Sequence, residues 1–78
     1  MLSLHLITSD TKQEITDIKS VTCTVAGGPI KILPHHAPML ATLKPGKLYT
    51  VRSDGVKSYE IISSGLLKVE NNIVTIVS

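Results

Sequence analysis

Apolar and polar residues alternate with period two along almost the whole chain, and no stretch carries a convincing helical period. Leu2, Leu4 and Leu6 alternate with Ser3 and His5, Ser9-Asp10-Thr11 supplies turn chemistry, and a second run follows from Gln13 to Ile18. These two runs are expected to pair as a hairpin. Val21, Cys23 and Val25 share one face of the next predicted strand, with Ser20, Thr22 and Thr24 on the other, until Gly27-Gly28-Pro29 breaks the run. Ile30 to Leu33 reads as a short strand ended by Pro34. Met39 to Leu43 is another, entering Lys44-Pro45-Gly46-Lys47, where Pro-Gly suits the central positions of a type II turn. A strand from Leu48 to Arg52 meets Ser53-Asp54-Gly55, whose Asp-Gly predicts a type I′ hairpin into a strand from Val56 to Ser63. Ser64-Gly65 interrupts the pattern before Leu66 to Val69. Asn71-Asn72 then offers residues that tolerate the left-handed conformation ahead of Ile73 to Val77, a final hairpin.

About eight to ten short strands with frequent turns predict an all-β fold, a small two-sheet antiparallel sandwich or flattened barrel. With 78 residues and no linker, repeat or low-complexity tract, one domain is expected to fill residues 1–78. The hydrophobic fraction of 42% and charged fraction of 18% are globular values, and because Phe and Trp are absent the core falls to Val, Ile and Leu. The chain stops at Ser78 directly after a predicted strand, so no trailing helical hairpin is expected.

Charge and cysteine content narrow the function classes. A formal charge of +2 is spread over interleaved lysines and acids, which describes a solvated surface and not a polyanion tract. The apolar runs fall far short of the ~20 residues a spanning helix needs. The single cysteine, Cys23, has no intrachain partner and no secretory pattern opens the chain, which favours a reducing compartment. Its alternation with Val21 and Val25 favours a buried, inert thiol over a nucleophile.

The segment from Gly27 to Gly46, GGPIKILPHHAPMLATLKPG, is the most distinctive. Pro34 and Pro38 hold the ILPHHAP loop rigid and keep it out of a continuous sheet ladder. Its histidines are therefore expected on display, where function usually sits. His36 is read as a residue that orients the loop by hydrogen bonds or touches a partner, and His35 as a surface histidine. The adjacent pair does not make a zinc cluster. Lys31, Lys44 and Lys47 are either a small basic rim or edge lysines that discourage aggregation. An oligonucleotide-binding barrel is the alternative reading on length, β content and charge. Against it stand only two aromatic residues, Tyr49 and Tyr59, for base stacking. No acid, His and Ser or Cys fall into a hydrolase motif, and Met39 lacks the following lysine of a biotin-type carrier turn.

The chain resembles, over essentially its whole length, the amino-terminal β-sandwich domain of the F-type ATP synthase epsilon subunit, called delta in mitochondria. The resemblance is carried by Gly28, Ile32-Leu33-Pro34, His36-Ala37-Pro38, Met39-Leu40 and Leu43-Lys44-Pro45-Gly46, and by the closing SSGLLKVENNIVTIV. Lys31 stands where the family usually has Gly, Pro29 where an acid is frequent, Ser64 for one of two paired glycines, and Lys68 for the usual Glu. The resemblance implies a non-catalytic rotor subunit that couples gamma to the membrane c-ring, without cofactor, metal or nucleic acid, and without the helical element associated with nucleotide sensing and inhibition. It implies ring-side contacts at Gly28, Pro29, Lys31, Pro34 and His36 at one end of the domain. Gamma-side contacts are expected on the later strands around Tyr49, Leu66 and Leu67. Membrane contact would come only through the complex, at the cytoplasmic face of a bacterial inner membrane or the organelle equivalent. In isolation, a homodimer through the partner face is an alternative way to cover apolar surface.

Overall fold

The computed structural model describes all 78 residues and contains eight strands. They are β1 (Leu2–Ile7), β2 (Lys12–Val25), β3 (Gly28–Ile32), β4 (Met39–Leu43), β5 (Gly46–Arg52), β6 (Lys57–Ile62), β7 (Gly65–Glu70) and β8 (Ile73–Val77). The hydrogen-bonded order β1-β8-β7-β4-β2 returns to its start because β2 also pairs with β1, so the sheet closes on itself. β3 and the β5-β6 hairpin extend from β2 as the only strands outside that circuit. Extents of 28 × 26 × 18 Å make the body a flattened barrel, its short axis the depth of two packed sheet layers.

The long strand β2 organises the layers. β1 and then β3 run along one of its edges, and β5 and then β4 along the other. The two runs expected as separate strands, Gln13 to Ile18 and Val21 to Val25, are this one strand bent by two irregularities. Opposite Leu2 and Leu4 the register steps from Ile18 to Ile15, and the extra residue is taken up where Asp17 adopts a φ of 57°. A second shift separates Ile18 from Ser20 against β5. Each bulge resets the alternation, so the unevenly spaced Ile15, Ile18, Val21 and Cys23 all turn toward the interior.

Fourteen buried apolar residues form the core, and every strand contributes at least one. All are Leu, Ile or Val apart from Cys23. The polar Thr50, buried beside them, bonds its Oγ1 to Ser58 Oγ at 2.8 Å and so is not left unpaired.

Three local expectations are corrected. β1 and β8 pair in parallel, so the fold is not purely antiparallel. In the Ser53-Asp54-Gly55 loop only Gly55 has positive φ, at 90°, and its N–H donates to the Arg52 carbonyl. That is a three-residue loop with a glycine bulge, not a type I′ turn. Lys44-Pro45-Gly46-Lys47 departs from a type II turn, because Gly46 takes a φ of 152° where that turn needs about +80°, and β4 and β5 do not pair with one another. It is a corner that carries the chain from β7's neighbour to β6's neighbour along one edge of β2. Asn71 and Asn72, at φ 51° and 61°, do make the expected tight connection between Glu70 and Ile73.

Candidate functional surfaces

β3 is an edge strand, paired only to β2, and it accepts Pro29 because an edge proline forfeits no ladder bond that the sheet needs. Gly28, at φ 121°, opens it after the short Ala26-Gly27 connection. Pro34 and His36 follow its far end. Gly28 and Pro34 are therefore separated by about 20 Å of extended chain. The ring-side residues expected at one end of the domain instead form a stripe along this sheet edge and into the loop beyond it.

The histidine loop is tied down at its base. The His35 backbone, at φ 66°, donates its N–H to Asn72 Oδ1 at 2.6 Å, which fastens the loop to the β7-β8 turn. The His36 N–H reaches the Leu33 carbonyl at 3.2 Å, closing a turn. The His36 ring places Nδ1 2.7 Å from the Ala37 carbonyl. A carbonyl only accepts, so Nδ1 is the donor of this bond on a half-exposed ring. The loop-orienting role expected of His36 has this bond as its physical basis.

The later strands present two different outer faces. On the β3-β2-β5-β6 side, cross-strand register aligns Lys31, Thr22, Tyr49 and Tyr59 in one row. The Tyr49 and Tyr59 ring centroids lie 5.9 Å apart, and Lys47 Nζ sits 4.9 Å over the Tyr59 ring. On the β4-β7-β8-β1 side the exposed apolar residues are Leu40 at 72%, Leu66 at 53%, Val77 and Ile73. Leu66 and Val77 are direct cross-strand neighbours, and Leu40 is diagonal to Leu66.

The gamma-side expectations thus fall apart. Tyr49 and Leu66 belong to different faces, and Leu67 belongs to neither, because it is 0% exposed in the core. Adjacent positions on a strand point to opposite sides, so only one of Leu66 and Leu67 can face outward. Leu40, Ile73, Val77 and Ile61 were missed as surface residues. They look like core in an alternating pattern, and only the bulges and the pairing partners reveal which side they take.

Cys23 lies in the core, where burial pushes its thiol pKa up and keeps it protonated. The buried position expected of Cys23 is the one it takes.

The family description that matches residues 1–78 is the ATP synthase delta/epsilon chain β-sandwich domain. The ATP synthase epsilon chain of Protochlamydia amoebophila is 36% identical over 75 residues, covering 96% of this chain and 51% of that protein. The epsilon chain of Citrifermentans bemidjiense is 37% identical over 75 residues, covering 96% of this chain and 54% of its own length. The chain therefore spans about half the length of the curated relatives it matches. The fold is similar to a chain in the Euglena gracilis mitochondrial ATP synthase structure that includes OSCP, F1 and the c-ring, with TM-score 0.88, 23% identity, and 99% and 49% of the two chains covered. It is also similar to a chain in the central stalk and c-ring structure of the Tetrahymena thermophila mitochondrial ATP synthase, with TM-score 0.82, 18% identity, and 97% and 61% covered. These findings do not favour the oligonucleotide-binding alternative.

Proposed function

This chain belongs to the family of the ATP synthase delta/epsilon chain β-sandwich domain, and from that premise we propose that it is a non-catalytic body of the central stalk in a rotary ATP synthase, seated between a gamma-type subunit and the membrane ring. The observation that carries the reading is the extent of the match, which runs over residues 1–78. The work is mechanical. Torque passes between bodies only through a joint that does not yield, and a close-packed barrel with every strand anchored in the core supplies the stiffness.

The two faces suggest a division of labour. Gamma docks on the β4-β7-β8-β1 side, where Leu40, Leu66 and Val77 give a connected apolar surface of the kind that forms an interface centre. The ring lies along the β3 edge, touched by Gly28, Pro29, Lys31, Pro34 and His36. Tyr49 lies away from gamma. The complex holds the chain at the cytoplasmic face of a bacterial inner membrane or its organelle equivalent, and the isolated chain turns over no nucleotide.

Co-purification with gamma from the same source tests the reading. The unaltered chain is expected to be retained and Leu66→Glu to be lost, while failure of the unaltered chain to bind any stalk component would overturn the proposal. For the ring edge, Lys31→Glu combined with His36→Ala in the assembled enzyme is expected to weaken coupling of ATP hydrolysis to ion pumping. Unchanged coupling and assembly would remove those residues from the contact.

A further inference from the structure

The face opposite the apolar one is not needed for gamma, yet it has a composition of its own. Lys47, Tyr49, Lys57, Tyr59 and Ile61 share the outer side of β5 and β6 through the pairs Lys47 with Ile61, Tyr49 with Tyr59, and Val51 with Lys57. Lys31 joins the row through Thr22. No carboxylate occupies an outward position on these strands, because Glu60, the only acid within β3, β5 or β6, alternates to the other side of β6. The face is thus a positively charged sheet surface with two tyrosines and an aliphatic side chain, Ile61, that is 70% exposed. It is continuous with the β3 edge through Lys31.

We infer that this face rests against the anionic phospholipid headgroups bordering the ring, a direct contact in place of the one expected only through the complex, and a reading that depends on the stalk placement proposed above. The argument is complementarity of charge and of polarity. Lysines are drawn to an anionic leaflet, tyrosines favour the headgroup level with ring buried and hydroxyl wet, and Ile61 gains from the acyl boundary. A phosphate backbone in solution would reward the lysines and give Ile61 nothing. Three lysines alone hold a protein only weakly, and burial of the aliphatic side chain adds to their attraction. The contact is reversible, as a turning rotor demands. It would steady the body against tilting while letting it slide over a fluid surface.

Co-sedimentation of the 78-residue chain with vesicles tests this without gamma or the ring. Binding is expected to vesicles containing phosphatidylglycerol and not to pure phosphatidylcholine, and to fall as salt is raised. Replacing Lys31, Lys47 and Lys57 together by Gln should lower the partition constant about a hundredfold, whereas replacing Lys12, Lys44 and Lys68 by Gln should leave most of it. Ile61→Gln should weaken vesicle binding and leave any binding to single-stranded DNA unchanged. Equal losses in the two triple variants, no preference for the anionic vesicles, or tighter binding to DNA than to vesicles would overturn the inference. Failure on vesicles with gamma co-purification intact removes the lipid contact alone. Failure of co-purification removes the stalk reading.

Discussion

Leu66 and Leu67 are identical side chains one position apart, and the strand assigns them opposite fates. Leu66→Glu lies on a solvated surface and should change stability by no more than about 0.5 kcal/mol while removing gamma binding. Leu67→Ala opens a hole in the core and should cost about 3 kcal/mol, read from urea unfolding. If both variants lost gamma binding at equal stability, the assignment of faces would be wrong. Cys23 offers a second test at this scale. Its folded-state pKa is raised by burial, so above the thiol's ordinary value of 9.0 the unfolded chain binds fewer protons than the folded one. The thiol's contribution to stability is therefore fully present below that value and is lost as pH rises from it toward the raised folded value. A Cys23→Val variant should lose less stability than the unaltered chain across that alkaline window. Identical slopes would mean that the thiol titrates alike in both states.

At the scale of elements, alternation located every strand, because a half-buried sheet writes its period directly into the side chains. What it left out was continuity. Two bulges in β2 change the facing parity, so one bent strand of fourteen residues looks like two. Turn types were legible only where a side chain dictates φ. Asn71 and Asn72 both take the left-handed conformation, whereas Asp54-Gly55 is extended by Ser53 into a longer loop. The residues proposed to face the ring are close in sequence without forming one cluster, since Gly28, Pro29 and Lys31 run along β3 and Pro34 and His36 sit in the loop beyond it. The Asn71-Asn72 turn yields a separable prediction, because Asn72 both adopts positive φ and holds His35. Asn72→Ala should cost about 1–2 kcal/mol from the backbone conformation alone, and Asn72→Gly should cost clearly less. Both should speed hydrogen exchange at the His35 amide. A slow amide in both variants would show the histidine loop to be held by something else.

For the whole molecule, one close approach fixes the end of the β7-β8 ladder. A Cβ on Gly65 would overlap the Val77 carbonyl oxygen, backbone that cannot swing aside. Gly65→Ala should therefore cost at least about 2 kcal/mol, and a neutral result in thermal unfolding would mean that β8 can shift. The same last strand pairs in parallel with the first, Leu4 beside Val74 and Leu6 beside Ile76. As the ribosome releases the polypeptide from its amino end, β1 meets β2 early but lacks its other neighbour until Ile73–Val77 have emerged. Leu2, Leu4 and Leu6 stay only partly sheltered until that strand arrives. Stalled nascent chains ending before Ile73 should be readily cut by protease, and the body should acquire its rigidity only when β8 takes its place beside β1 and closes the circuit of strands.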